Sequence, residues 1–188
     1  MKNMIEIRIH GRGGQGAKTA AQFIVESAIT DGKHIQAFPE YGPERTGAPM
    51  KTYARISDNV IRTHEAVAEP DIVIVIDPTL LDVADVSEGM KESGILIVNS
   101  TESPEKIKQK TGCPGKVYTV DATGISIELL GTNMPNMPIL GALANVCPEV
   151  KLDVLTKSVR NKFLNKIGEE KTNANIEAMK RAHIELKG

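Results

Sequence analysis

The sequence predicts an α/β fold: a Rossmann-like, mostly parallel sheet flanked by helices, with an antiparallel hairpin insert. Three observations predict it. Short apolar or alternating runs recur between stretches of helical periodicity, as in strand–helix–strand units. Two of those runs, 71–77 (DIVIVID) and 94–99 (GILIVN), are continuously apolar inside, the pattern of strands buried on both faces. A glycine-rich segment, GRGGQG, lies between the first strand-like run and the first helical one.

The elements follow in order. Residues 5–9 alternate apolar and charged side chains and read as a first strand. Residues 17–29 place Ala20, Ala21, Ile24, Val25 and Ala28 at helical spacing, and Asp31-Gly32 ends that helix. Residues 34–38 read as a second strand. The loop at 39–49, PEYGPERTGAP, has three Pro and two Gly and is too stiff and charged for a flexible linker. Residues 50–56 alternate as a strand, Asp58-Asn59 suggests a turn, and 60–63 reads as the returning strand of the hairpin. After the buried strand at 71–77, residues 78–86 read as a helix, followed by strands at 94–99 and 116–120. Helices are expected at 125–130, 139–146, 152–167 and 173–186, with a break at GTNMPNMP between the first two. No internal repeat or low-complexity tract interrupts this pattern, and 1–188 is expected to form a single domain.

Composition narrows the function. With 23 Lys+Arg against 24 Asp+Glu and a net charge of -1, no basic face is implied, and only six residues are Phe or Tyr. Both facts argue against a nucleic-acid partner. No run approaches the ~18 apolar residues of a membrane span, and the N-terminal residues lack a signal-peptide core, so a cytoplasmic location is expected. The two cysteines, Cys113 and Cys147, form neither a CxxC pair nor an iron–sulfur pattern, and the four histidines show no metal-ligand spacing; no metal site is expected.

The chemistry concentrates in the turn Gly11, Arg12, Gly13, Gly14, Gln15, Gly16. Glycines there permit positive φ and close approach, the helix N-terminus offers unpaired N–H groups, and Arg12 adds a cation, so the turn suits phosphate or carboxylate. A dinucleotide reading lacks its ribose-binding acid, expected about 20 residues on at the end of the second strand; here that strand ends Gln36-Ala37-Phe38-Pro39. A Walker A loop is also absent. The turn equally suits tight helix–sheet packing with no ligand. His10 borders the turn and either polarises a bound group or is a satisfied structural histidine. Asp77 either faces the same crevice or caps the helix after it; Asn99, Ser100 and Thr101 admit the same two readings. Asn133 and Asn136 either cap short helices or meet a partner.

Three segments in order, GRGGQGAKT at 11–19, FPEYGPERTGAPM at 38–50 and GTNMPNMPILGALA at 131–144, together resemble the gamma subunits of the 2-oxoacid:ferredoxin oxidoreductases. YGPERTGAP is similar to the FGPERRGAP loop of the pyruvate and 2-oxoisovalerate branch, with Thr46 standing where the second Arg is common. The resemblance implies a subunit of an enzyme that decarboxylates a 2-oxoacid oxidatively, passes electrons to ferredoxin and forms an acyl-CoA. It implies alpha, beta and delta partner subunits, which hold thiamine diphosphate, magnesium and 4Fe–4S clusters, with no catalytic residue on this chain. Coenzyme A, the co-substrate, is then a natural anion for the Gly11–Gly16 turn. Tyr41, Glu44, Arg45 and Thr46, with Asn133 and Asn136, are expected to face partner subunits. The alternatives are a free-standing nucleotide-binding enzyme and a purely structural assembly subunit.

Overall fold

The computed structural model describes residues 4–29, 32–40 and 47–188. Six strands form one sheet in the order β2-β3-β1-β4-β5-β6. They are β1 (Met4–Arg12), β2 (His34–Pro39), β3 (Pro49–Ser57), β4 (Ile72–Val75), β5 (Ile95–Asn99) and β6 (Lys116–Val120). The helices are α1 (Ala17–Ile29), α2 (Pro104–Thr111), α3 (Ala122–Leu130), α4 (Asn136–Val146), α5 (Leu152–Ile167) and α6 (Glu169–Glu185).

β1, β4, β5 and β6 run parallel, and their apolar runs explain why. Ile74, Ile97, Val73 and Val98 are all essentially inaccessible, because both faces of this half of the sheet are covered. One face packs on α1 and α3 to α6, through Ile7, Ile9, Phe23, Ile24, Leu140, Leu155 and Met179. The other packs on α2 and irregular segments through Val75, Leu80, Leu96, Ile107 and Cys113.

The antiparallel insert is present, but its strands differ from the expected ones. β3 lies between β1 and β2 and pairs antiparallel with both. No edge of β3 is left for a returning strand, and residues 60–63 are not a strand. Backbone oxygens at the end of this stretch and just beyond it instead accept side-chain bonds: Thr63 from Gln36 Nε2 at 2.9 Å and Glu65 from Arg55 Nη2 at 2.7 Å. The helix expected over 78–86 is a short 3-10 turn, Pro78–Asp82, capped by Asp77. After it, Ser87 N–H and Oγ both bond Asp85 Oδ1, a local turn that competes with helix. α2 was not foreseen, although Ser103 at its N-cap, Pro104 after it and Gly112 at φ 63° after its last turn are ordinary start and stop signals. Only Ile107 of α2 is buried, so it shows no apolar stripe.

The sheet half made by β1, β2 and β3 has an unusual second face. Glu6, Arg8 and His10 of β1 pair across with Arg55, Tyr53 and Lys51 of β3. Arg8 and Arg55 are 3% and 2% exposed, and each guanidinium is tied to the backbone that covers it. Arg8 donates to the carbonyls of Val67, Val86 and Glu88 at 3.4, 3.2 and 2.6 Å. Among the described residues, no helix is long and apolar enough to cross a membrane.

Candidate functional site

α1 follows β1 over one face of the sheet, whereas the connection after β4 runs over the other. The carboxyl ends of β1 and β4 therefore open a crevice at a topological switch point, where ligands bind in open α/β sheets. The glycine turn lies there. Gly14 and Gly16 have φ of 95° and 78°, values that L side chains rarely adopt. A Cβ at Gly16 would also lie 2.5 Å from Asn136 Nδ2, so this position has no room for a side chain.

The structure brings three predicted residues together, Arg12, Gln15 and Asp77, and adds a fourth. Arg12 Nε lies 3.2 Å from Asp77 Oδ2, and Gln15 Nε2 donates to the same oxygen at 2.6 Å. Gln15 Oε1 accepts from Arg12 N–H at 2.8 Å, which pins the turn's shape. Asp77 Oδ1 accepts from Thr79 N–H at 2.9 Å and from Thr79 Oγ1 at 2.6 Å. Thr79 Oγ1 in turn accepts from Arg12 Nε and Nη2 at 3.2 and 2.8 Å. Asp77 thus fills both roles left open for it, helix cap and crevice carboxylate. Thr79 was missed; its one sequence signal is that it follows Asp77-Pro78 at a cap.

Burial by itself would raise the Asp77 pKa. Hydrogen bonds from Thr79 and Gln15, with the Arg12 charge, overcome that and hold the carboxyl below its ordinary value. Stability from this carboxylate is present above the ordinary range and is lost as pH falls through the depressed folded value. Arg12 is a partly exposed cation already paired with one internal carboxylate.

Not every amide of the turn is open to a ligand. Gly13 N–H donates to Ala48 O at 2.9 Å, Gly13 O accepts from Gly47 N–H, and Gln15 N–H bonds Arg12 O. The first helical bond of α1 runs from Ala20 N–H to Gly16 O at 2.9 Å. The amides of Ala17, Lys18 and Thr19 precede it and have no acceptor within the helix. No acidic residue lies in that first turn, and Lys18 is exposed there. The donors left without an internal acceptor therefore lie at the α1 N-terminus, beside the Arg12 cation, rather than in a full glycine cradle.

The dinucleotide alternative meets a geometric obstacle. β3 stands between β1 and β2. An acid after β2 would begin two strand spacings, about 10 Å, from the glycine turn.

The other candidates separate clearly. Asn99 is a bracket between β4 and α3: Nδ2 donates to Ile76 O and Thr123 Oγ1, both at 2.8 Å, and Oδ1 accepts from Thr123 N–H at 3.0 Å. Asn133 is exposed. Asn136 is 4% exposed and lies against Gly16, so its side chain belongs to the glycine turn rather than to an outer surface. Tyr41, Glu44, Arg45 and Thr46 lie outside the described residues. Cys113 and Cys147 are buried in separate core clusters, and burial raises both thiols, Cys147 to about 12.

His10 is 2% exposed, and its Nε2 has no partner among the described residues. Desolvation, then the positive charges of Arg8 and Lys51, against a smaller opposing pull from Asp85, push its pKa down to about 3. Between that value and the ordinary His value of about 6.5 the unfolded chain binds more protons, so stability rises with pH across this window. His10→Gln is expected to flatten that slope, read as urea midpoints from about pH 3.5 to 7. Equal slopes in the two proteins would show that His10 is protonated in the fold.

The comparisons with known proteins agree with the resemblance carried by the three motifs. The family model for pyruvate ferredoxin/flavodoxin oxidoreductase matches residues 6–184. Pyruvate synthase subunit PorC of Thermotoga maritima is 48% identical over 186 residues, 99% of this chain and 96% of the relative. The pyruvate/ketoisovalerate oxidoreductases common subunit gamma of Thermococcus kodakarensis is 46% identical over 182 residues, 96% and 98% of the two chains. The crystal structure of pyruvate oxidoreductase subunit PORC from Thermotoga maritima superposes with a TM-score of 0.88 at 45% identity, covering 99% of this chain and 98% of that one. A 2-oxoglutarate:ferredoxin oxidoreductase from Magnetococcus marinus, with 2-oxoglutarate, coenzyme A and succinyl-CoA bound, gives a TM-score of 0.80 at 20% identity over 98% of this chain and 31% of its own. At that identity the likeness is one of fold. Motifs, sheet topology and identity along nearly the full length converge: this chain belongs to the pyruvate ferredoxin/flavodoxin oxidoreductase family, among its gamma subunits.

Proposed function

We propose that this chain works as the gamma subunit of an oxidoreductase for pyruvate or a related 2-oxoacid, assembled with alpha, beta and delta subunits in the cytoplasm. The complex converts a 2-oxoacid, CoA and two oxidised ferredoxins into acyl-CoA, carbon dioxide, two reduced ferredoxins and a proton. Thiamine diphosphate, magnesium and the 4Fe–4S clusters belong to the partner subunits. The two buried, separated thiols of this chain are consistent with that division, since one cubane cluster takes four cysteine ligands.

The part assigned to this chain is to hold or gate CoA by its phosphates. One observation carries that reading: the α1 N-terminus, Arg12, Gln15 and Asp77 converge at the switch point of the sheet. Each Arg12 Nη carries a second N–H beyond the bonds described, and each is a charge-assisted donor suited to a phosphate oxygen. Asp77 holds the guanidinium in place before the ligand arrives, so less side-chain entropy is lost on binding.

Purification of the tagged chain under anaerobic conditions is expected to bring down two larger chains with thiamine diphosphate and iron–sulfur absorbance. In the assembled enzyme, Arg12→Ala is expected to raise KM for CoA about 10- to 100-fold, the loss of a charged hydrogen bond. KM for the 2-oxoacid should stay near its original value. An assembled enzyme with unchanged KM for CoA would leave the turn as scaffold. That second reading is favoured by the bonds that already tie Arg12 to Asp77, Thr79 and Gly47 O. Saturable NAD(P) binding by the chain alone would favour a free-standing enzyme.

A further inference from the structure

Residues 58–66 carry no buried side chain, and Val67, 2% exposed, is the first to be buried after β3. The segment nevertheless lies over the face formed by β1, β2 and β3, and three backbone oxygens hold it there. Thr63 O accepts from Gln36 Nε2 of β2 at 2.9 Å, Glu65 O from Arg55 Nη2 of β3 at 2.7 Å, and Val67 O from Arg8 Nη1 of β1 at 3.4 Å. Alternate carbonyls thus meet one donor from each strand, in the order of the strands in the sheet. A segment held by so few apolar contacts opens at a lower free energy than the sheet beneath it.

Gln36 fixes how His64 takes part. Gln36 Oε1 accepts from Arg55 Nη1 at 2.9 Å, and a guanidinium only donates. Gln36 Nε2 faces Thr63 O, which only accepts. The amide therefore has one orientation, and one N–H of Nε2 is spent on Thr63. The other contact of Nε2 is His64 Nδ1, at 3.0 Å. Nδ1 has to accept there, so the ring is neutral with its proton on Nε2. An imidazolium carries a proton on both nitrogens, and Nδ1–H would then face an amide N–H, two donors with no acceptor between them. Behind Gln36, in the same cross-strand row, stand Arg55 and Glu6, paired at 3.0 Å. Arg62 and Glu65 flank His64 on its own segment.

We propose that His64 is a pH-sensitive latch: the neutral ring clasps residues 60–67 to the sheet, and protonation releases them. The closed segment binds fewer protons at this position than the open one, so closure strengthens as pH rises and weakens as pH falls. Histidine changes charge between about pH 5 and 8, which places the latch in the physiological range. Release uncovers the Gln36 amide and the Arg55 guanidinium, the groups that join this segment to the three strands.

Hydrogen–deuterium exchange of the full chain reads the latch peptide by peptide, each rate being divided by the intrinsic amide rate at that pH. From about pH 7.5 to about pH 5.5, amides of residues 60–67 are expected to lose protection about fivefold, the worth of one hydrogen bond. Those of β4 should keep theirs. His64→Asn retains an acceptor oxygen near the place of Nδ1, cannot charge, and leaves His10 as it is. Its protection should stay level over the same range. Long-range proton–nitrogen correlation spectra of the wild type at the upper pH should show the His64 proton on Nε2. A proton on Nδ1 would overturn the proposal. Equal protection at both pH values in the wild type, or the same loss in His64→Asn, would overturn it too.

Discussion

Arg55→Ala is expected to cost about 3–5 kcal/mol of folding stability, the usual loss when one partner of a buried charge network is removed. Arg55 is 2% exposed and among the largest fully buried side chains. Nε bonds Glu6 Oε1 at 3.0 Å, Nη1 bonds Gln36 Oε1 at 2.9 Å and Nη2 bonds Glu65 O at 2.7 Å. Its guanidinium carbon also stands 5.4 Å from the Phe38 ring centre. One side chain thus joins β1, β2, β3 and the segment that crosses over them. Arg55→Met tests the origin of the loss, because it keeps most of the volume but none of the donors. Urea unfolding should place Met nearer Ala than wild type. A loss below about 1 kcal/mol in both variants, the value of a surface pair, would mean that water enters this layer. Arg55→Lys should not restore stability, since an ammonium cannot reproduce the planar fork that reaches three oxygens.

Gly141→Ala is expected to lower stability by about 3 kcal/mol, near the top of the usual range for overpacking. Gly141 lies inside α4, where alanine would ordinarily be the better helix former. Packing reverses that preference. A Cβ there would sit 1.8 Å from Met179 O and 2.6 Å from Met179 C, both backbone atoms of α6. Backbone cannot swing aside, so α4 and α6 would have to separate. The contacts beside it would loosen too: His183 Nδ1 lies 3.1 Å from Gly141 O, and Asn145 Nδ2 donates to His183 O at 2.9 Å. For a domain of this size the melting temperature should fall by roughly 6–12 °C. A fall of less than about 2 °C in a scanning experiment would show that the two helices are not in backbone contact.

Local chemistry made much of the fold legible. α1, α5 and β6 begin and end where periodicity and breakers place them. The central strands read correctly because strands buried on both faces have to be continuously apolar. The glycine turn was legible because positive φ restricts residue choice. Asp77 was found as a strand-end acid, although its two roles could not be separated without the bonds to Thr79 and Gln15.

What remained hidden depends on neighbours distant in sequence. Whether residues 60–63 form a strand turns on which edges of β3 are free, and β1 and β2 take both. Arg8 and Arg55 sit in alternating strands, and nothing nearby in sequence announces that residues 63–67 and 86–88 fold over them with carbonyls ready to accept. Asn136 could be read as a helix cap or a partner contact, and only the approach of α4 to Gly16 shows it buried. By itself the sequence determined the alternation of strands and helices, the glycine turn and the family motifs, since each rests on residues close to one another in the chain. The tertiary structure alone decided strand order, the buried cationic layer and the pairing of Arg12 with Asp77. Those are contacts between residues 10 to 80 apart in the chain, and their energies come from burial and charge separations that exist only once the sheet has formed.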